Sequence, residues 1–153
     1  MSMASTTTDR IEKQVVLRAP RARVWRSLVN TREFGEWFGA ALSDGTFTPG
    51  ARVEGPITYP GYEHLTLSVT VERVEPERLL AFRWRPDPDE PEAEPTTLVE
   101  FSLRDVDEGT LLTVVESGLD RIPPERRERV FRRNDEGWAT QMDNIARHVG
   151  ERA

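Results

Sequence analysis

The feature that most narrows what this chain can become is an apolar stripe near its C-terminal end. Phe131, Trp138, Met142, Ile145 and Val149 recur at steps of three, four and seven, which sets them along one side of a 3.6-residue helix spanning 123–149. Pro123 and Pro124 suit its start, because first-turn N–H groups have no intrahelical acceptor. Glu125 with Arg129 and Glu128 with Arg132 form i,i+4 pairs, and Gly150 supplies a stop. A helix so apolar on one side needs a complementary surface, and the rest of the chain reads as that surface. Two residues of the stripe go beyond packing. Gly137 sits mid-helix, where it costs about 1 kcal/mol relative to Ala, as if another backbone or a ligand came close. Asp135 falls on the apolar side one turn before Trp138; either it serves a space there, or it or Asn134 turns outward to solvent.

Upstream, alternation dominates. Residues 11–18 read as a strand spoiled only by Lys13, and Ala19-Pro20 ends it. Val24, Trp25, Leu28 and Val29 return at helical spacing over 20–29, and a second short helix over 31–37 ends in Trp37-Phe38-Gly39, two large aromatics beside a chain reversal. Strands follow at 46–54, interrupted by Pro49-Gly50, then at 65–72, 79–85 and 97–104. Within these, Leu80, Phe82 and Trp84 share one face, as do Val99, Phe101 and Leu103. The last strand, 110–117, contains the run Leu111-Leu112-Thr113-Val114-Val115, which does not reveal its inner face. The stretch 86–95 has no apolar residue beyond Ala93 and reads as an exposed or disordered acidic loop. The order strand, two short helices, about five or six mostly antiparallel strands and one long helix is α+β, with the helices on one face of the sheet.

A length of 153 residues fits one domain, 10–153, behind a polar lead, 1–9, that reads as a disordered tail without a signal segment. No apolar run approaches the roughly 20 residues of a membrane span. The chain has no Cys, so it offers neither disulfides nor thiolate metal sites, and a cytoplasmic location is expected. A net charge of −6 argues against nucleic acid as a partner.

Several local signatures resemble one family. Ala19-Pro20 followed by Val24-Trp25 and Leu28, the Trp37-Phe38 pair, Leu80-Ala81-Phe82-Arg83-Trp84, Gly109-Thr110 with Leu112-Thr113 and Ser117-Gly118-Leu119, and Gly137-Trp138 stand in the order of the SRPBCC (START-like, helix-grip) superfamily. Within it the chain resembles the AHSA1-like group, homologues of the activator of the Hsp90 ATPase, over residues 11–149. The resemblance implies a helix-grip fold, a curved antiparallel sheet wrapped around the long C-terminal helix with two short helices after the first strand and an apolar pocket between sheet and helix. It also implies that Leu112, Val114 and Glu116 face inward while Leu111, Thr113 and Val115 face out, which places a carboxylate in the pocket. Members of the superfamily bind lipids, hormones or polyketide-like molecules, and some catalyse cyclisation or hydrolysis, so fold does not name function.

The candidate ligand contacts are Trp37, Phe38, Phe82, Trp84, Phe101, Trp138 and Met142, with Glu116 and Asp135 as polar members; aromatic stripes also fill cores, and both readings stand. His64 and His148 are the only histidines, the first read as a rim group in a Tyr-rich loop and the second as solvent-facing. With no carboxylate cluster at ligand spacing, neither a metal nor a cofactor is expected. A Gly-x-Ser-x-Gly elbow, a cysteine nucleophile and a phosphate-cradling loop are all lacking. What remains for catalysis is proton transfer by Glu116 or Asp135; the competing reading is a buried Glu116 satisfied by Arg83, Tyr59 or a water. Arg126, Arg127, Arg129, Arg132 and Arg133 crowd the helix start, where the dipole is already positive. The acidic loop could fold over them, an acidic partner could dock there, or they form a solvated face.

Three functions are therefore carried forward. The leading one is binding of a small hydrophobic or amphipathic molecule. The second is a co-chaperone-like module that meets a chaperone or another protein, with a homodimer left open; the absence of the extra N-terminal domain of the eukaryotic activator weakens it. The third is a cyclase- or hydrolase-like enzyme using a pocket carboxylate.

Overall fold

The structure is a computed structural model that describes residues 9–86 and 96–152, with only the backbone described at 151 and 152. The expected tail and acidic loop thus lie outside the described residues, except for Asp9 and Pro86. Asp9 is tied down, its carbonyl accepting from the Leu119 N–H at 3.1 Å.

The elements are β1 (Arg10–Leu17), α1 (Arg21–Val29), α2 (Thr31–Phe38), β2 (Arg52–Pro56), β3 (Thr66–Glu75), β4 (Leu79–Trp84), β5 (Thr97–Val106), β6 (Gly109–Ser117) and α3 (Pro124–Arg152), with one turn of 3-10 helix at Leu119–Arg121 before the last. The strands form an antiparallel sheet in the order β1-β6-β5-β4-β3-β2. From β2 to β6 it is a meander. Only β1 is out of sequence, so α1 and α2 must carry the chain from one edge of the sheet to the other. Asn30 makes this possible by ending α1 in an extended conformation and capping α2, its side-chain oxygen accepting from Glu33 N–H at 2.9 Å. Gly39 ends α2 in the left-handed region. A register shift between Val71 and Arg73 interrupts the β3–β4 ladder, the kind of irregularity that bends a sheet.

Burial along β6 alternates strictly, with Thr110, Leu112, Val114 and Glu116 inside, the facing that the resemblance implied. Lys13 shares the inner face of β1 with Ile11, Val15 and Leu17, and its Nζ lies 3.0 Å from Asp135 on α3, so the break in the pattern is an ion pair at the sheet edge.

Three expectations are corrected. The strand expected at 46–54 begins only at Arg52, because the Pro49-Gly50 turn, with Gly50 at φ 86°, leaves Thr46 as an isolated bridge to Asn30. Gly150 does not stop the last helix: it is absent from the positive-φ glycines, and α3 continues to Arg152. The inner stripe of α3 starts with Val130, fully buried, while Phe131 is half-buried against the core.

The middle of the molecule is solid. Phe34 of α2 is its centre, with ring centroids 4.8 Å from Trp37, 5.1 Å from Phe38, 5.4 Å from Phe47 and 6.1 Å from both Phe82 and Phe101. Edge-to-face and offset ring pairs of this kind add to the burial of apolar area that stabilises the core.

Candidate functional site

Packing is not solid throughout. Beyond Phe38 the sheet and α3 part to leave a cavity of about 580 Å³. One wall is α3, through Arg133, Asn134, Gly137, Trp138 and Gln141; the others are the end of β4 (Trp84, Arg85, Pro86) and the segment from Ile57 through Tyr59, Tyr62 and His64 into the start of β3. The Trp84 and Trp138 rings stack, 5.5 Å apart with 29° between their planes, and Phe38 meets both from the core side.

Glu116 sets this aromatic wall. Fully buried on β6, it receives the Trp84 indole N–H at Oε2 and the Trp138 indole N–H at Oε1, each at 2.9 Å. The Thr97 hydroxyl donates to Oε2 at 2.6 Å, and the Asn134 amide nitrogen lies 3.2 and 3.4 Å from the two oxygens. Indole and amide N–H groups can only donate, so both oxygens of Glu116 serve as acceptors. A buried polar group pointing into this wall would be costly without partners; here four side chains from β4, β5 and α3 converge on it. Glu116 does not itself border the cavity; it holds in place residues that do. Neither of its expected protein partners is used. Arg83 points to the other face of β4 and lies 3.4 Å from Glu72, and the Tyr59 hydroxyl accepts from Asn144 at 3.1 Å.

Gly137 borders the cavity, and a Cβ built there would meet nothing within 4 Å. Among the described residues no packing requires this glycine; its effect is to keep the α3 backbone open to the cavity. Gly39 has the opposite character. Its φ is 100°, and a Cβ would come within 2.6 Å of the Tyr59 ring, so the bare backbone there lets Tyr59 pack against the end of α2.

A second buried carboxylate lies outside the cavity. Glu33 of α2 accepts from Arg23 Nη1 and Arg26 Nε, both at 3.0 Å, from Ser27 Oγ at 3.3 Å, and pairs with His148 Nε2 at 2.9 Å. Burial pushes its pKa up, but the hydrogen bonds from His148, Arg26 and Arg23 and the Arg23 charge outweigh that and hold it at about 2. The cluster fastens α1, α2 and α3 together. The solvent-facing position expected for His148 is thereby corrected: it is buried, because its place three residues after Ile145 turns it toward α2.

The candidate ligand contacts divide. Phe38, Trp84 and Trp138 border the cavity. Trp37, Phe82, Phe101 and Met142 are buried in the core and do not, and the Trp37 N–H is used on the Ser27 carbonyl at 2.9 Å. Asp135 turns away toward Lys13, while its neighbour Asn134 takes the inward position. His64 is exposed at the rim. Gln141 and Asn134 were not among the sequence candidates. The signal was present, since both stand three or four residues from Trp138, and Gln141 also donates to the Phe38 carbonyl at 2.8 Å. Tyr59, Tyr62, Arg85 and Arg133 carried no such signal. Among the described residues no group of His, Asp and Glu is arranged to hold a metal, and no helix is long and apolar enough to cross a membrane.

A curved antiparallel sheet gripping a long helix, with a cavity beside an aromatic wall anchored on a buried carboxylate, defines an α+β domain of the helix-grip, SRPBCC type. The profile of one family in that class, described as Activator of Hsp90 ATPase homolog 1-like protein, matches residues 18–150, and the chain belongs to it. None of the curated proteins matches. Among solved structures, DynU16, a protein of the dynemicin biosynthetic locus, is 26% identical with a TM-score of 0.71 over 93% of this chain. The chain spans about half of that protein, 47% of its length. MLL2253 from Mesorhizobium loti is 21% identical with a TM-score of 0.75, covering 93% of this chain and 97% of its own. Aha1 from Colwellia psychrerythraea, solved as a dimer in solution, is 14% identical with a TM-score of 0.68, covering 90% and 93%. The last two likenesses are of fold alone.

Proposed function

We propose that this protein binds a small hydrophobic or amphipathic molecule in the cavity beside Trp84 and Trp138. The observation that carries the reading is Gly137. A glycine in the middle of a 29-residue helix destabilises it by about 1 kcal/mol, has among the described residues no neighbour that needs its missing side chain, and opens onto a cavity of about 580 Å³. That volume lies within the range of small-molecule sites, and the mixture of rings with a few convergent polar groups, Gln141 and Asn134 among them, is their usual lining. The test is solvent extraction of the purified protein followed by mass spectrometry, alongside the Gly137→Leu variant. A small molecule recovered from the first and missing from the second is expected. Full recovery from a correctly folded Gly137→Leu variant would place the molecule elsewhere and defeat the reading.

The family's description keeps a second reading in view, a surface that meets a chaperone, and capture of an Hsp90-type chaperone by the purified protein would test it. The enzymatic reading draws less support. Glu116 has both oxygens engaged behind the wall, and Asp135 pairs with Lys13 outside the cavity, so neither carboxylate is placed to exchange a proton with an occupant.

A further inference from the structure

The charges on the cavity lining are one-sided. Among the described residues the lining holds Arg85, Arg133 and the rim residue His64 and no carboxylate. The two arginines also border the same end. The Asn134 amide nitrogen reaches the Pro86 carbonyl at 3.4 Å, which brings the chain next to Arg133 up against the chain next to Arg85. The rings of Trp84 and Trp138 lie beside this end, since Asn134 and both indoles meet on Glu116.

We propose that the occupant is an anionic amphiphile with a flat aromatic body, its rings against Trp84 and Trp138 and its acid group between Arg85 and Arg133. Aromatic surface favours flat rings, and guanidinium groups bind carboxylate, sulfonate or phosphate through charge-assisted hydrogen bonds that strengthen away from bulk water. Both arginines already engage partners of their own, so the acid group shares or displaces those contacts. The carboxylate of Glu116 opposes an anion, but it sits behind the indoles with donors aimed at both its oxygens, whereas Arg85 and Arg133 are lining residues. The inference deepens the binding reading above and rests on it.

The test uses two dyes that share one skeleton, anilinonaphthalene sulfonate and the uncharged N-phenylnaphthylamine, titrated into the full chain and followed by dye fluorescence. The sulfonate is expected to bind at least about tenfold more tightly at low salt, as a charge-assisted contact predicts. That advantage is expected to vanish in the Arg85→Gln/Arg133→Gln double variant while the neutral dye binds as before. Should the double variant fail to fold, the salt response of the native chain decides. Raising salt from about 0.05 M to about 0.5 M is expected to weaken the sulfonate and not the neutral dye. Equal affinities unaffected by salt or by the substitutions would overturn the anionic assignment and leave an apolar cavity in place. Binding of neither dye would overturn both, and tighter binding of the neutral dye would overturn the assignment of charge alone.

Discussion

Replacing Glu33 by Gln should remove most of the acid sensitivity that this cluster confers. The side chain is only 6% exposed, and the pKa of about 2, against an ordinary value of 4.5, means that folding favours the ionised form. The gap is worth about 3 kcal/mol at neutral pH. The sign follows from the direction. Because the folded-state value is depressed, the stabilisation is fully present above about pH 4.5, declines as the pH falls, and is gone once the pH passes below about 2. At about pH 3 only about 1.4 kcal/mol of it should survive. Gln keeps the shape and does not titrate. The measurement is urea unfolding of both proteins at about pH 6 and about pH 3, comparing the stability difference between them at each. The difference at pH 6 includes whatever Gln does to the contacts with Arg23, Arg26 and His148; its change with pH is free of the arginine contacts, which do not titrate in this range. The native protein should lead by at least about 3 kcal/mol at pH 6, as expected for breaking a buried ion pair, and by about 2 kcal/mol less at pH 3. A lead that stays constant across this range would mean that Glu33 acts by packing alone, and the electrostatic account of how the three helices are joined would be wrong.

Other substitutions separate the remaining roles. Glu116→Gln puts an amide N–H among donors that have nowhere else to turn; it should lower stability by roughly 2–4 kcal/mol in urea unfolding and alter the near-UV circular dichroism of the Trp84–Trp138 pair, and an unchanged spectrum would show that Glu116 does not hold the indoles. Gly137→Ala should raise stability by up to about 1 kcal/mol in thermal unfolding, since the new Cβ meets nothing; a loss would mean that the helix backbone there is already in close contact. Gly39→Ala should lower stability by more than about 1 kcal/mol, because a left-handed backbone and the Tyr59 ring both oppose a side chain, and a neutral outcome in the same assay would contradict that. Asp135→Asn removes an ion pair whose side chains are 40% and 29% exposed, so denaturant midpoints should correspond to a change within about 1 kcal/mol and N-phenylnaphthylamine affinity should be unchanged.

The long helix and the alternating strands were readable because periodicity reports which side of an element is buried, and most ends fell within a residue or two of the structure. The failures are local and have physical causes. At 46–54 a β-like composition yielded to a proline-glycine turn, and Phe47, fully buried beside Phe34, packs from irregular chain where no period exists to detect it. At Gly150 the residue type favoured a stop, but an exposed glycine near a helix end can keep helical dihedrals when nothing forces it out of them.

The site was less legible, and Glu116 shows why. Strand alternation, once the facing of β6 was known, put a carboxylate inside, yet what a buried carboxylate does depends on which donors reach it, and those come from residues 84, 97, 134 and 138. Their meeting is a property of the sheet register, which pairs Val99 with Glu116 and Trp84 with Thr97, and of the phase of α3, which turns Asn134 in and Asp135 out. Adjacent helical residues differ by about 100° in direction, so a small error in the assumed phase exchanges a cavity residue for a surface one. The same dependence explains why residue type alone named three cavity rings and also four core residues: all are buried, and only the distance between sheet and helix decides which face a void. Where α2 inserts Phe34, sheet and helix are joined through solid packing; past the end of α2 no element among the described residues fills the gap, and the residues that border it are the ones available to an occupant.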